Sequence, residues 1–182
     1  MKVSTTPISG LLVIEPDVFH DDRGYFFESF NSKKYHEAGL DFNFVQDNIS
    51  RSVKNSIRGL HYQVGNFAQG KLCQVISGVV LDVAVDIRFG SPTFGKYHSQ
   101  VLSEENKKQF WLPPGFAHGF SVLSDIAIFS YKCTSFYSKK DERCIYFNDE
   151  QLGIDWGIKN PVISEKDKYG IAFKDIESDF KF

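Results

Sequence analysis

The ten residues Val79-Val-Leu-Asp-Val-Ala-Val-Asp-Ile-Arg88 carry the clearest periodic pattern in the chain. Successive side chains of an extended strand point to opposite faces. One face of this segment is aliphatic and consists of Leu81, Val83, Val85 and Ile87, whereas the other carries Asp82, Ala84, Asp86 and Arg88. Such a period of two predicts a β-strand.

Shorter runs rich in β-branched and aromatic residues lie on both sides of that strand. The predicted strands are Leu11–Glu15, Tyr25–Phe30, Phe44–Ser50, Leu72–Ile76, Tyr97–Leu102, Phe110–Leu112, Gly119–Leu123 and Ile126–Thr134. Turn residues separate them, as in Asp22-Arg-Gly24 and Pro113-Pro-Gly115. Many short strands at roughly even spacing predict an all-β sandwich or barrel.

Helical signals are few. The segment Ser32–Ala38 predicts one short helix, with Ser32 as its N-cap and Gly39 just past its end. Ser164-Glu-Lys-Asp167 predicts the start of a second. Neither a repeat nor a linker divides the chain, so we expect one domain over residues 1–182. From about residue 175 the sequence is polar, which predicts a frayed tail.

The bulk composition favours strands and excludes several classes of partner. Of the 182 residues, 15% are aromatic, including 18 Phe and 8 Tyr, and such side chains pack well on pleated surfaces. The net charge is −2 without a basic stripe, which argues against nucleic acid. The three cysteines form no CxxC pair, a pattern typical of a reducing compartment. Because neither a signal peptide nor a membrane-spanning run is present, we expect a cytoplasmic protein without membrane contact.

His61, in the segment Arg58-Gly-Leu-His-Tyr-Gln63, is the first candidate for chemistry. A histidine base titrates near neutral pH and needs a carboxylate to hold its tautomer. The spacing does not choose among the possible partners Asp47, Asp82, Asp86 and Asp167, and a packed core histidine fits the local sequence equally well. Arg58 and His61 would point to opposite faces of a regular strand, and a bulge at Gly59 would bring them to one face.

Three other residue types have both a structural and a chemical interpretation. Tyr131 fits a core tyrosine, or a phenol that donates a proton across a cavity. Lys71, at the start of a strand, fits a surface lysine or a group that stabilises an enolate oxygen. Arg23 and Arg58, each next to glycine, fit surface residues or phosphate ligands.

Metal and cofactor motifs are weak in this sequence. The five histidines show neither HxH spacing nor a helical pair, and a site built from His61, His98 and His118 has no support from spacing. The sequence contains no GxGxxG, Walker or GxSxG motif. We therefore expect no bound cofactor and no metal.

Several sequence blocks occur in an order and at spacings similar to those of one enzyme family. From about Val13 to Asp167 the chain resembles the dTDP-4-dehydrorhamnose 3,5-epimerases, a cupin-like group acting on nucleotide sugars. The resemblance implies a cupin-like double-stranded β-helix, or jelly roll, with a few short helices. The blocks are Asp22-Arg-Gly-Tyr-Phe-Phe-Glu28, Gln46-Asp-Asn48, Arg58-Gly-Leu-His-Tyr-Gln63, Gly70-Lys-Leu72, residues 82–88, Ser91-Pro-Thr-Phe-Gly95, Pro114-Gly-Phe-Ala-His-Gly-Phe120, Asn148-Asp149 and Ser164-Glu-Lys-Asp167.

The resemblance also implies roles for named residues. His61 matches the catalytic base and Asp167 the carboxylate that orients it, although Asp167 also fits a capping box begun by Ser164. Tyr131 matches the proton donor, and Lys71 the group near the ketone oxygen. Tyr137 matches an aromatic that stacks on the nucleobase. The other positions that match substrate-binding residues are Arg23, Glu28, Gln46, Asp47, Asn48, Arg58, His118, Glu142 and Lys166.

The implied reaction is epimerisation at carbons 3 and 5 of dTDP-4-dehydro-6-deoxy-D-glucose, which yields dTDP-4-dehydro-L-rhamnose. The resemblance further implies a homodimer in which the N-terminal segment crosses to the partner. Alternatives are a GDP- or CDP-linked 4-keto sugar, a heptose, or inversion of a single carbon. Two other classes are a metal-dependent cupin oxygenase and a non-catalytic nucleotide-sugar binding module.

Overall fold

Fourteen short strands and two short helices make up the regular structure over residues 1–41 and 43–182, the part of the chain that the computed structural model describes. The strands are β1 (Lys2–Thr5), β2 (Leu12–Glu15), β3 (Phe19–Asp21), β4 (Gly24–Phe26), β5 (Gln46–Val53), β6 (Ser56–Gln63), β7 (Lys71–Ser77), β8 (Val79–Asp86), β9 (Tyr97–Ser103), β10 (Gln109–Leu112), β11 (Phe116–Val122), β12 (Ile126–Cys133), β13 (Glu142–Cys144) and β14 (Val162–Ile163). The helices are α1 (Ser32–Glu37) and α2 (Glu165–Lys168). Neither of these described helices is long and apolar enough to cross a bilayer.

Two sheets face each other across an apolar core. The first sheet has the strand order β1-β2-β10-β7-β12-β5, and the second has the order β13-β6-β11-β8-β9 with β14 parallel to β6. A separate hairpin joins β3 to β4. Val75 and Phe129 of the first sheet pack with Val80 and Phe120 of the second, and the rings of Phe120 and Phe129 stack at a centroid distance of 4.2 Å. The predicted all-β class is confirmed.

The strand with the clearest alternation, β8, is buried on both faces. Its aliphatic face, with Val83 and Val85, packs against an outer layer that includes Trp156 and Phe173. Its other face, with Val80, Asp82 and Ala84, points into the space between the two sheets, and Asp82 is fully buried there. The face of β8 that carries Asp82 therefore lines the space between the two sheets.

A β-bulge at Gly59 puts Arg58 and His61 on one face of β6. In the pairing with β11, Arg58 lies opposite Phe120 and His61 lies opposite His118, so two residues of β6 oppose Gly119 alone. The intervening peptide between Gly59 and Leu60 is cis. The bulge that the sequence required for a shared cavity is thus confirmed.

The strand predictions are right in position and differ mainly at their ends. The run predicted as Tyr25–Phe30 is a strand only over β4, because the chain then leaves the β3–β4 hairpin towards α1. Strand β5 begins at Gln46 rather than at Phe44 and extends to Val53, where it still pairs with β12. The predicted strands did not include β6, which has eight residues and carries the bulge at Gly59. They also did not include β1, β3, β13 and β14, which are only two to four residues long.

Both predicted helices are present, with one correction. The N-cap of α1 is Asn31 rather than Ser32, since the Asn31 side chain accepts a hydrogen bond from the backbone of Lys34. Ser164 is the N-cap of α2, as predicted, and accepts from the backbone of Asp167. Both caps satisfy backbone donors that a first helical turn leaves free.

The prediction of a frayed tail beyond residue 175 is wrong. The backbones of Phe180 and Phe182 hydrogen-bond to that of Phe89, and the Ser178 hydroxyl donates to the carbonyl of Ile87. Phe180 also packs against the outer layer of the second sheet. The isolated aromatic residues of this polar segment hold it in place.

We expect Gly59→Ala to destabilise the fold by about 2 kcal/mol or more. Gly59 has φ +136°, and an added Cβ would lie 2.5 Å from Cα of Gly119, so conformational strain and overpacking add together. The measurement is the free energy of unfolding from urea denaturation.

Gly39→Ala is the matched control. Gly39 has φ +78° with nothing within 4 Å of an added Cβ, so only the conformational cost of about 1 kcal/mol applies. Equal losses in the two variants would contradict the proposed close contact between β6 and β11.

Candidate functional site

A cleft opens at one end of the space between the two sheets. Its inner part has a volume of about 290 Å³, and an adjoining part adds about 240 Å³. The two parts share His61, Lys71, Tyr131 and Glu142. The inner part is lined by Ser50, Arg58, His61, Lys71, His118, Phe120, Tyr131, Glu142, Ser164, Lys166 and Asp167.

His61 and Asp167 form a hydrogen-bonded pair in the inner part. The distance between Nε2 of His61 and Oδ1 of Asp167 is 2.6 Å. Burial opposes ionisation of Asp167, but its hydrogen bond to His61 and the charge of that ring outweigh burial, so its pKa lies below the ordinary value. The carboxylate is therefore ionised and accepts a hydrogen bond from Nε2–H. In the neutral ring this tautomer makes Nδ1 the nitrogen that can act as a base.

Asp167 combines the two roles that its sequence position allowed. Its backbone N–H donates to the Ser164 hydroxyl at 3.2 Å, as in a helix cap. Its carboxylate, however, points to His61 and away from the helix. Helix α2 thus places one carboxylate, on a residue that is 2% exposed, in hydrogen-bonding contact with His61.

Tyr131 and Lys71 face the same cavity from neighbouring strands of the first sheet. Burial raises the pKa of Tyr131 to about 12, so the phenol remains a proton donor at neutral pH. The ammonium of Lys71 lies 5.9 Å from the centre of the Tyr131 ring. Among the residues that the structure describes, no carboxylate lies within ion-pairing distance of Lys71, although this side chain is only 8% exposed. Its charge is available to a ligand.

A second histidine, His118, lies directly opposite His61 on β11. Its Nε2 is 2.8 Å from Oδ1 of Asp82. Burial lowers the pKa of His118, and the neighbouring charges of Lys71 and His61 add to that effect, although Asp82 opposes it. The ring is therefore neutral, with its proton directed at Asp82.

The outer part of the cleft carries a polar network around Tyr137. Its hydroxyl donates to Oε2 of Glu142 at 2.9 Å, and its backbone N–H donates to Oε1 of Gln46 at 3.0 Å. Glu142 is also paired with Lys166 at 2.5 Å. Burial raises the pKa of Glu142, but the hydrogen bonds from Lys166 and Tyr137 more than offset it, so the pKa lies below its usual value. This network leaves the aromatic ring half-exposed at the rim.

The structure brings together eleven of the fourteen residues that the sequence singled out. Their members in the cleft are Gln46, Asn48, Arg58, His61, Lys71, His118, Tyr131, Tyr137, Glu142, Lys166 and Asp167. Three others lie outside both parts of the cleft. Asp47 points to the opposite face of β5 and pairs with Lys132. Arg23 pairs with Asp21 on the β3–β4 hairpin, and Glu28 pairs with Lys34.

The sequence reading missed three residues that shape the cleft. Ser50 follows Gln46 and Asn48 on the inward face of β5, and its buried hydroxyl has no partner; the same alternation would have found it. Phe120 closes the apolar end. Gln63 donates to the carbonyls of Phe67 and Phe136, which fixes the loop that carries Tyr137.

A three-histidine metal site is not assembled. Over residues 1–41 and 43–182, the groups with suitable ligand atoms close together are His61, Cys144 and Asp167, and Cys73, Asp82 and His118. His98 lies on β9 against Phe110, and its buried Nε2 has no partner. In the strand register His98 lies in the same row as Ala84 and His118, and β8, which lies between β9 and β11, separates it from the two cleft histidines.

Comparison with known proteins gives matches over nearly the whole chain. Residues 5–175 match the family model described as dTDP-4-dehydrorhamnose 3,5-epimerase. A relative of that name from Shigella flexneri is 53% identical over 97% of this chain and 98% of its own length.

Two solved structures are also similar and confirm the cupin-like fold. One, a dTDP-4-dehydrorhamnose 3,5-epimerase from Elizabethkingia anophelis, is 53% identical with a TM-score of 0.91 over 96% of this chain and 97% of that one. The other, a dTDP-6-deoxy-D-glucose-3,5-epimerase from Legionella pneumophila in complex with dTDP-4-keto-L-rhamnose, is 50% identical with a TM-score of 0.93 over 97% and 94%.

The His61–Asp167 pair predicts a dependence of stability on acid pH. Because the pKa of Asp167 in the folded protein is below that in the unfolded chain, its contribution is present above about pH 4 and is lost as the pH falls through the folded value. Urea denaturation should therefore show the advantage of wild type over Asp167→Asn shrinking between about pH 5 and pH 2.

Glu165→Gln is the control, because it removes an exposed carboxylate from the same helix. A stability difference between wild type and Asp167→Asn that stays constant over the acid range would refute the lowered pKa.

Proposed function

The chain belongs to the dTDP-4-dehydrorhamnose 3,5-epimerase family, and we propose that it inverts carbons 3 and 5 of dTDP-4-dehydro-6-deoxy-D-glucose by proton transfer through an enolate. The product is dTDP-4-dehydro-L-rhamnose. The observation that carries this proposal is the His61–Asp167 pair, which shares one cavity with the partly buried phenol of Tyr131 and the ammonium of Lys71.

Each group has one role in this mechanism. The 4-keto group acidifies the hydrogens on carbons 3 and 5, and the free Nδ1 of His61 removes one of them. Asp167 stabilises the imidazolium that forms. Lys71 stabilises the enolate oxygen at the moment the charge develops. Tyr131 returns a proton to the other face of the sugar, and the stereocentre inverts.

The outer part of the cleft fits the nucleotide end of the substrate. The half-exposed ring of Tyr137 offers a surface on which a nucleobase stacks. Gln46 and Asn48 line the same part, and Arg58 and Lys166 supply positive charge nearer the sugar. Arg58 is held by a hydrogen bond of 2.9 Å to Ser52, which orients its guanidinium for a diphosphate oxygen.

The proposed reaction moves protons only. No hydride leaves the substrate, so no redox cofactor is required, and Lys71 supplies the charge that a metal would otherwise provide. We also propose a cytoplasmic location and a place in dTDP-L-rhamnose biosynthesis for surface glycans such as lipopolysaccharide or capsule. The three cysteines are free thiols, as is usual in a reducing compartment.

In heavy water, with dTDP-4-dehydro-6-deoxy-D-glucose as substrate, we expect deuterium at both carbon 3 and carbon 5. His61→Ala should lower exchange at both carbons by about 10²–10⁴-fold, the usual contribution of a general base. Mass spectrometry and proton NMR measure both positions.

His36→Ala replaces an exposed histidine on α1 and is the matched control, which should exchange like wild type. Deuterium at one carbon only would identify a single-carbon epimerase. Full exchange in His61→Ala would remove His61 as the base.

A homodimer would account for the residues that lie outside the cleft. Arg23 and Glu28 sit on the N-terminal segment, away from the cavity of their own chain. The outer face of the first sheet exposes Ile49, Val53 and Ile126, an apolar surface suited to a second copy. We therefore propose that the N-terminal segment crosses to the partner and completes the partner's cleft.

Mixed dimers test this arrangement. Arg23→Ala and His61→Ala should each be impaired alone, whereas co-expression should restore up to about one quarter of wild-type activity, since half of the dimers then contain one intact site. Co-expression of Lys71→Ala with His61→Ala is the control, because both changes lie in the same cleft and no mixed dimer has an intact site. A mixed dimer that recovers no more activity than this control would contradict the exchange.

A further inference from the structure

A second cluster of chemically capable side chains lies beneath the cleft. Sγ of Cys73, a carboxylate oxygen of Asp82 and an imidazole nitrogen of His118 lie within 4.8 Å of one another. They come from β7, β8 and β11 and converge from both sheets. Cys73 and Asp82 are fully buried and His118 is 5% exposed. The mechanism above gives Cys73 and Asp82 no direct contact with substrate.

Asp82 is the member of this cluster whose bonding is incomplete. Its Oδ1 is near Nε2 of His118, but its buried Oδ2 has no hydrogen-bond partner. A buried carboxylate oxygen without a partner is costly, and a cation is the strongest partner it can gain. The Lys71 side chain acts on Cys73 and His118 through space without an ion pair.

The other cluster, of His61, Cys144 and Asp167, differs in this respect. The Asp167 carboxylate already accepts from His61 at 2.6 Å and from the backbone of Gly59. These two donors occupy the Asp167 carboxylate and hold the His61–Asp167 pair in place, so it has less capacity to bind a metal ion. The cluster around Asp82 is therefore the better candidate for an additional ligand.

The ligand spacing of the buried cluster suits a small thiophilic cation. Sγ of Cys73 is 3.7 Å from Nε2 of His118, and that nitrogen is 2.8 Å from Oδ1 of Asp82. Around zinc, sulfur lies at about 2.3 Å and nitrogen or oxygen at about 2.0–2.2 Å, so ligand atoms are separated by roughly 3–4 Å. A small widening of the His118–Asp82 contact accommodates the ion.

We propose that Cys73, Asp82 and His118 bind a thiophilic divalent cation such as Zn²⁺, and that this binding inhibits the enzyme. On binding, the Cys73 thiol loses its proton to solvent and the proton of His118 resides on Nδ1. One thiolate and one carboxylate then balance the two charges of the ion. Because the His118 ring lines the cleft, moving its proton from Nε2 to Nδ1 turns Nδ1 from a hydrogen-bond acceptor into a donor and disturbs substrate binding.

The Cys73 thiol and the nearby Lys71 ammonium determine which divalent cations this site favours. Burial raises the pKa of Cys73 well above its ordinary value, so the thiol stays protonated until a cation displaces the proton. The ammonium of Lys71 repels any cation nearby. A hard ion such as Mg²⁺ gains little from sulfur, so the site favours Zn²⁺ and Co²⁺ over Mg²⁺.

The experiment uses Co²⁺ as a spectroscopic probe on the full chain after treatment with a chelator. The wild type should show a thiolate-to-cobalt charge-transfer band that saturates at one ion per chain, and Mg²⁺ should not compete. The band should be absent in Cys73→Ala and in Cys73→Ser, the second of which keeps a hydroxyl beside Asp82. Cys144→Ala, which removes the thiol of the other cluster, should retain it.

Activity supplies the second readout. Zn²⁺ should inhibit the wild type reversibly, whereas Cys73→Ala and Cys73→Ser should match its activity without metal and be at least about tenfold less sensitive, as expected on loss of a ligand. Absence of the band in the wild type, its survival in Cys73→Ala, or its loss in Cys144→Ala would each overturn the proposal. The band does not depend on substrate, so this test is separate from that of the epimerase reaction.

Discussion

The contact between the backbones of Gly59 and Gly119 is the constraint on which the site depends. Two strands of the second sheet approach so closely there that a Cβ on either residue would meet backbone atoms at less than 3 Å. The bulge that this permits shifts the phase of β6 by one residue. Without it Arg58 and His61 would lie on opposite faces of β6, and only one of them could line the cleft.

Each of the two histidines in the cleft is hydrogen-bonded to its own carboxylate. His61 is held by Asp167 and His118 by Asp82, yet the two rings differ in burial. The deeper ring is kept neutral by its surroundings, whereas the ring of His61 remains 27% exposed and accessible to substrate. Lys71, without an ion-pair partner among the described residues, lines the same cleft. The two histidines therefore differ in burial and in the charges around them.

Much of this protein followed from local sequence. Alternation identified β8, and turn residues placed most of the other long strands, because a period of two and a glycine or proline break are local signals. The local motif singled out His61 as a candidate base, whereas Asp167 was matched to it only through the family resemblance. The short strands and the N-cap at Asn31 were missed or displaced because pairing with distant strands and cap geometry decide such ends. The longer strand β6 was not predicted either, because the bulge at Gly59 interrupts its alternation.

Only the tertiary structure decided which groups meet. Spacing alone left His61 four possible aspartates, and only the family resemblance implied Asp167. The fold brings Asp167, which lies 106 positions away, into contact with His61 by laying α2 against β6. It also turned Asp82 inward to His118 and Asp47 outward to Lys132. Local pattern fixes which residues share a face, since alternation is a property of one strand. Which side chains from different strands meet depends on how the two sheets pack and on where a bulge shifts the register. Both are properties of the whole chain.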